Sequence, residues 1–160
     1  MKRSFFFLMI LGVFLVGCGG SGSSSSNSTT AAKTPAAATD PSGSPLNSGP
    51  KAATTVKVNP GLADFGAQAF QKRACVTCHA IGEKKQGPDL AGVAYRRTEA
   101  WMTKQILDPE WMVKNDPLAR QLMAQYALQM ANQHVPDQEV KAIIHYLVRE
   151  SLASPQTAAQ

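Results

Sequence analysis

Cysteine is scarce in this sequence, and the few cysteines exclude most of the structures that cysteine builds. The 160 residues contain Cys18, Cys75 and Cys78, an odd number that does not suit a closed disulfide framework. Cys75 and Cys78 form a C-x-x-C pair, but without a second pair they do not complete a four-cysteine zinc site. No strand–helix–strand pattern surrounds the pair, which argues against a dithiol redox site.

The sequence also has no apolar run long enough to cross a membrane. Its longest run, residues 5–16, has 12 residues, whereas a spanning helix needs about 20. Lys2 and Arg3 precede the run, so residues 1–17 have the charged and apolar regions of an export signal peptide. The run ends in Leu-Val-Gly-Cys, which resembles the processing site of bacterial lipoproteins. The resemblance predicts a diacylated Cys18, and two acyl chains suffice for stable membrane attachment.

Residues 61–150, the part of the chain able to fold, carry almost no net charge. The net charge is +5, but residues 61–150 carry 11 basic and 10 acidic side chains. The surplus lies nearer the N-terminus, on Lys2, Arg3, Lys33, Lys51 and Lys57. The basic isoelectric point therefore does not indicate nucleic-acid binding, and no nucleic-acid partner is expected.

Composition divides the mature chain into three parts. Residues 18–60 are rich in Ser, Thr, Ala, Gly and Pro and have few large apolar side chains. We therefore predict a disordered linker that carries the lipid anchor. Residues 61–153 are the part able to bury a core, and residues 154–160 are predicted to be a disordered tail.

Residues 61–153 show helical rather than strand periodicity. No run of alternating strand residues occurs there, and apolar residues recur at three- and four-residue intervals. About four helices are predicted: one around residues 62–70, one capped by Thr98, one capped by Asp116, and a last one around residues 140–148. The predicted fold class is all-α.

The strongest motif is the C-x-x-C-H spacing of Cys75, Cys78 and His79, the attachment pattern of haem c. Two thiols at this spacing reach the two vinyl groups on one porphyrin edge, and the adjacent imidazole becomes the proximal iron ligand. Covalent attachment suits a domain of about 90 residues, which has little pocket of its own. One covalent haem c is predicted, because the motif occurs once.

Residues 61–150 resemble the class I c-type cytochromes, and the resemblance covers essentially all of the predicted domain. Gly66 and Phe70 match the small and aromatic positions of the family's first helix, and Tyr146 matches the aromatic of its last helix. In the family these positions form a close helix crossing. The resemblance implies a fold of about four helices around one haem.

Two loops carry the further site residues that this resemblance implies. After the haem motif, the Pro88 carbonyl would accept a hydrogen bond from His79 and so fix the imidazole ring. Before the last helix, Met130 has the family's spacing between its axial methionine and the acidic start of that helix. Met130 is therefore the predicted sixth ligand, with Met123 and His134 as the alternatives.

The Met130 segment departs from the family pattern at two positions. Ala131 stands where the family commonly has proline, and Pro136 stands where it has a Ser or Thr helix cap. The usual capping box is thereby lost, and Asp137 is expected to cap the last helix instead.

Basic and aromatic side chains lie near the haem motif in the sequence. Arg97, with Arg96 beside it, is a candidate ligand of the haem propionates, while Trp101 and Trp111 are expected to pack in the core. Other basic residues either surround the haem edge and steer an acidic partner or are ordinary solvated side chains. These residues are Lys72, Arg73, Lys84 and Lys85.

The resemblance implies an electron carrier rather than an enzyme, because a six-coordinate haem leaves no position for a substrate. A peroxidase or a haem-based ligand sensor is the alternative and would need an open position. Short motifs between Trp101 and Gln133 also resemble cytochrome domains of bacterial respiratory complexes, including those that reduce nitrous oxide or oxidise quinol. Redox proteins of a respiratory chain are thus the expected partners. The expected location is the periplasmic side of a membrane, through the lipid on Cys18.

Overall fold

The computed structural model of the protein describes residues 40–154, which contain seven α-helices, one 3₁₀ turn and no strand. The helices are α1 (Ala52–Thr55), α2 (Pro60–Lys72), α3 (Val93–Arg96), α4 (Glu99–Leu107), α5 (Pro109–Asn115), α6 (Pro117–Tyr126) and α7 (Asp137–Ala153). The all-α prediction is confirmed. The four predicted helices correspond to α2, α4, α6 and α7. The others have four to seven residues, too few to show a helical period.

Side-chain caps determine where two of the predicted helices begin. Thr98 Oγ1 accepts the Trp101 N–H at 3.1 Å, and Asp116 Oδ1 accepts the Ala119 N–H at 3.0 Å. Each bond satisfies an amide that the helix itself leaves without a partner. Both predicted caps are confirmed.

The start of α7 differs from the prediction. Asp137 is its first helical residue rather than its cap, and Pro136 occupies the cap position without a side-chain hydrogen bond. The Pro136 carbonyl accepts the Val140 N–H at 2.9 Å, so the helical hydrogen bonds already begin at the proline. Asp137 and Glu139 then lie in the first turn, where negative charge interacts favourably with the helix dipole.

The core is organised by the crossing of α2 and α7. A Cβ at Gly66 would lie 2.0 Å from the Ala142 carbonyl oxygen, so the two backbones approach as closely as only glycine permits. Beside this contact, the rings of Phe70 and Tyr146 pack with centroids 5.5 Å apart. Helix α7 buries one apolar face, formed by Val140, Ile143, Ile144, Leu147 and Val148.

The segment before α2 is ordered, and the predicted linker boundary at residue 60 is wrong for residues 40–59. Asn47 is fully buried there: its Oδ1 accepts the Thr98 N–H at 2.9 Å, and its Nδ2 donates to the Arg96 carbonyl at 3.1 Å. The buried Ser44 hydroxyl donates to Asp116. The composition argument failed because the segment's few large apolar side chains, Leu46, Val56 and Val58, pack against the core and buried polar hydrogen bonds add to them.

Several predictions fall outside the described residues. The signal peptide, Cys18 and most of the predicted linker precede residue 40, and all but the first residue of the predicted tail follow residue 154. Among residues 40–154, no helix combines the length and the apolar character needed to cross a membrane.

Candidate functional site

The C-x-x-C-H motif forms a tight turn directly after α2. Ala74 adopts a left-handed conformation with φ of 57° and starts a 3₁₀ turn at Cys75–Thr77. The Cys75 carbonyl accepts the His79 N–H at 3.0 Å, which closes the motif on itself. Neither cysteine is in a disulfide among residues 40–154 and both are only partly exposed, and burial raises the pKa of the Cys75 thiol.

His79 is held in one orientation by the loop that follows it. Its Nδ1 lies 3.0 Å from the Pro88 carbonyl oxygen, the contact that the family resemblance implies. This bond requires the proton on Nδ1 and leaves Nε2 as the ring atom with a free lone pair. Burial lowers the pKa of His79, partly opposed by the Pro88 contact. A neutral imidazole is the form that binds a metal.

Gly87 makes room for this ring. A Cβ at Gly87 would lie 2.6 Å from His79 Cε1, inside the distance that carbon atoms tolerate. The Gly87 N–H also donates to the Cys78 carbonyl at 2.8 Å. The loop therefore presses its backbone against the imidazole, and a larger residue here would displace the ring.

Met130 lies in the loop between α6 and α7, residues 127–136. Its Sδ accepts a hydrogen bond from Gln105 Nε2 at 3.6 Å. Two residues later, Asn132 Nδ2 donates to the Leu107 carbonyl at 3.3 Å. Because Gln105 and Leu107 belong to the last turn of α4, the loop is tied to the end of that helix at two points.

The rival ligands are less favourably placed. His134 is exposed, has a left-handed φ of 48° and is absent from the residues that line the cavity. Met123 lines the cavity but is 40% exposed. His145 is buried, and its Nδ1 accepts the Asn59 N–H at 3.2 Å.

One cavity of about 900 Å³ contains every predicted cofactor-binding residue in its wall. These residues are Cys75, Cys78, His79, Pro88, Arg97 and Met130. Much of the remaining wall is apolar and comes from α2, α4 and α7 and the loop before α3, through Phe70, Leu90, Met102, Ile106, Ile143 and Leu147. The size lies in the range of cofactor pockets. The donors fit haem c: two thiols for attachment, and an imidazole and a thioether for iron.

Arg97 gives part of the cavity wall a positive charge. Its guanidinium lies 5.2 Å from the ring centroid of the buried Trp101, and its Nη1 donates to the Arg96 carbonyl at 3.0 Å. Burial lowers the pKa of Arg97, and the charge of Arg96 lowers it further. An anionic group bound nearby would offset both effects. Propionate binding by Arg97 stays a prediction.

The basic residues around the motif are engaged differently from one another. Arg73 forms a two-pronged ion pair with Glu139, at 2.6 and 3.1 Å, and Lys72 Nζ lies 3.4 Å from the same carboxylate. Lys85 Nζ donates to the Val76 carbonyl. Lys84 lines the cavity and lies 4.9 Å from the Tyr126 ring centroid. Arg73 therefore binds α7 rather than standing ready for a partner.

Two residues show what sequence reasoning misjudged or missed here. Trp111, expected in the core, is 41% exposed, and Lys104 Nζ lies 4.7 Å from its ring centroid. Gln105 was not singled out, because a glutamine inside a helix has no sequence signal that separates it from a surface residue. Only its distance from Met130 in space reveals the contact.

Comparisons with known proteins agree with this geometry. The family described as cytochrome c matches residues 63–150. A solved structure of cytochrome c from Rhodothermus marinus is 28% identical, with a TM-score of 0.59 over 61% of this chain and 83% of that chain. An engineered form of the same cytochrome, Rma TDE, is 27% identical, with a TM-score of 0.57 over 60% and 83%.

A third solved structure is that engineered cytochrome bound to a carbene intermediate. It is 28% identical, with a TM-score of 0.55 over 60% of this chain and 82% of that chain. No curated protein matches the chain.

Proposed function

Because the chain belongs to the cytochrome c family, which implies covalent haem c and haem-based electron transfer, we propose that it is a membrane-anchored respiratory electron carrier outside the cytoplasm. In this proposal one haem is attached through Cys75 and Cys78 and ligated by His79 and Met130. When bound, haem c supplies a one-electron ferric–ferrous couple.

The observation that carries the proposal is the shared cavity of His79 and Met130. An imidazole and a thioether are the axial pair of electron-carrying c-type cytochromes. Each is held by a neighbour: the Pro88 carbonyl binds His79 Nδ1, and Gln105 Nε2 binds Met130 Sδ. Ligands that are already oriented need little rearrangement when an electron arrives or leaves.

The rest of the cavity wall supports the same function. Apolar side chains from three helices exclude water, which limits the solvent rearrangement that accompanies a change in iron charge. The charge of Arg97 suits a carboxylate at the cavity wall. No substrate-binding role is required of any of these residues.

The alternative functions, a peroxidase or a haem-based ligand sensor, need a vacant iron position. A thioether in the wall of the same cavity as His79 argues against a vacancy. The engineered Rhodothermus marinus cytochrome bound to a carbene intermediate concerns that engineered protein, and no residue of this chain favours such chemistry over electron transfer.

Location and partners rest on the sequence. The apolar run at residues 5–16 and the processing-site pattern that ends at Cys18 support export and lipid anchoring. Redox proteins of a respiratory chain are the proposed partners, with a quinol-oxidising complex as donor and a terminal reductase or oxidase as acceptor.

The ligand assignment is tested by replacing the two cavity methionines separately in protein from a host that matures c-type cytochromes. We expect Met130→Ala to abolish the far-red absorption band of methionine-ligated ferric haem and to lower the reduction potential. Met123→Ala is the matched control, because it removes a thioether from the same cavity and should keep the band. If Met123→Ala loses the band and Met130→Ala keeps it, the assignment is wrong.

The cofactor itself is tested by intact mass. The wild-type protein should exceed its polypeptide mass by one haem. A colourless protein from the same host would contradict the whole proposal.

A further inference from the structure

We propose that Gln105 is a positioning residue that sets the reduction potential through its hydrogen bond to Met130. The inference rests on the proposed ligation by Met130 and adds a second partner for its sulfur. Gln105 lies in the last turn of α4, and its Nε2 is 3.6 Å from Met130 Sδ. It also lines the cavity that contains the other cofactor-binding residues.

The chemistry of the two groups determines which end of the amide faces the sulfur. A thioether accepts hydrogen bonds and has none to donate, so the NH₂ group must point toward Met130. The opposite end, Gln105 Oε1, is buried and has no hydrogen-bond partner within residues 40–154. A buried acceptor without a partner is unfavourable. Gln105 therefore meets the cavity with one end of its amide bonded, and that bond is to the Met130 sulfur.

A second contact holds the loop in the same place. Asn132 bonds to the Leu107 carbonyl through Nδ2 and accepts the His134 N–H at 2.8 Å through Oδ1. The side chain of Gln105 therefore meets a sulfur whose backbone is already positioned. Its own contribution is to orient the sulfur lone pairs, rather than to close the loop.

The electronic consequence follows from the two lone pairs of a thioether sulfur. One lone pair is needed for iron, and the amide N–H occupies the other, which selects a single orientation of the sulfur. The hydrogen bond also withdraws electron density from sulfur. Weaker electron donation from the sulfur destabilises ferric iron more than it destabilises ferrous iron. The Gln105 hydrogen bond should therefore raise the reduction potential.

The test is the Gln105→Leu holoprotein, which removes the donor at similar size. We expect the equilibrium constant for its reduction to fall by about threefold to tenfold, the scale of one net hydrogen bond. The far-red methionine band should be shifted but present. Gln125→Leu is the matched control, since Gln125 lines the same cavity but forms no hydrogen bond to Met130 among the described residues. It should behave as wild type.

A second variant, Gln105→Asn, separates loss of the hydrogen bond from misfolding caused by the apolar leucine. Gln105→Asn keeps the amide but withdraws it by one methylene group, and it should show the same lowered potential. If both Gln105 variants keep the wild-type potential, or if Gln125→Leu lowers it equally, the inference is overturned while Met130 ligation stands. If Met130→Ala keeps the methionine band, the ligand assignment and this inference fall together.

Discussion

At the scale of single residues, two glycines in this fold stand where no larger residue fits. Gly87 lies against the His79 ring, and Gly66 lies against the carbonyl of Ala142. The first contact determines the orientation of a proposed iron ligand, and the second determines how closely α2 approaches α7. In both cases the constraint is distance to a neighbouring atom, rather than an unusual backbone angle.

Gly66→Ala should destabilise the protein by about 1–3 kcal/mol, because the new methyl group must push two helix backbones apart. The measurement is the denaturant midpoint of the holoprotein. Gly61→Ala is the control on the same helix: its Cβ would meet only Asn59 Oδ1 at 3.5 Å, an ordinary contact. Alanine there should be neutral or stabilise by up to about 1 kcal/mol. Equal effects of the two variants would show that the helix crossing is looser than described.

At the scale of secondary-structure elements, an ion pair joins the start of α7 to the turn that carries the haem motif. Arg73 follows α2 directly and contacts both carboxylate oxygens of Glu139. Arg73 closely precedes the haem motif in sequence, and Glu139 closely follows the loop that contains Met130. The pair therefore couples the two chain segments that carry the proposed iron ligands His79 and Met130.

The Glu139–Arg73 pair should make stability depend on pH in the acidic range. The hydrogen bond from Arg73 lowers the pKa of Glu139 in the folded protein below its ordinary value. A carboxyl group of this kind stabilises the fold above its unfolded pKa, and that contribution is lost as the pH falls through the lower, folded pKa. Glu139→Gln should thus be less stable than wild type near pH 7, and the difference should disappear on acidification.

Glu110→Gln is the control for this experiment. Glu110 also lies in the first turn of a helix, but it forms no ion pair within residues 40–154. Its replacement should change stability little across the same pH series. A stability difference for Glu139→Gln that does not vary with pH would contradict the ion-pair explanation.

At the scale of the whole molecule, the folded unit begins well before the family's helical core. The family match starts at residue 63, yet Ser44, Asn47 and Ala52 are fully buried. The Ala52 N–H donates to the Arg97 carbonyl at 3.0 Å. Residues 40–59 therefore shield the backbone around Arg97, and the predicted disordered linker can extend only over residues 18–39.

Asn47→Ala should cost about 1–3 kcal/mol, because it leaves the buried Thr98 N–H without its partner and removes one of the hydrogen bonds that the Arg96 carbonyl accepts. Denaturant titration measures the loss, and faster hydrogen exchange at the Thr98 amide would locate it. Ser48→Ala is the control: its hydroxyl bonds only to the nearby Ser44 carbonyl, so the change should be within about 0.5 kcal/mol. A neutral Asn47→Ala would mean that this segment adds nothing to the fold.

Anchoring is a separate property of the whole chain. Wild-type protein should be found with the membrane fraction, and Cys18→Ser should release it in soluble form, since the acyl chains supply the membrane affinity. Haem content should be equal in the two preparations. Wild-type protein that is already soluble after fractionation would contradict the lipid anchor.

Sequence by itself determined the features that depend on neighbours along the chain. Helical periodicity, the caps at Thr98 and Asp116, and the spacing of Cys75, Cys78 and His79 are local patterns, and local geometry follows from them. The close passage at Gly66 was accessible through the family resemblance. Periodicity alone would not have found it.

Tertiary structure decided the features that depend on residues distant in sequence. Asn47 and Thr98 are 51 residues apart, and Gln105 and Met130 are 25 apart. Polar composition predicted disorder before α2, because the buried partners that satisfy Asn47 cannot be read from its neighbours. Trp111 was expected in the core but is 41% exposed, because the seven-residue helix α5 is too short for its sequence to show which side faces the core. The packing of the helices determines which polar groups form hydrogen bonds and which apolar side chains remain exposed.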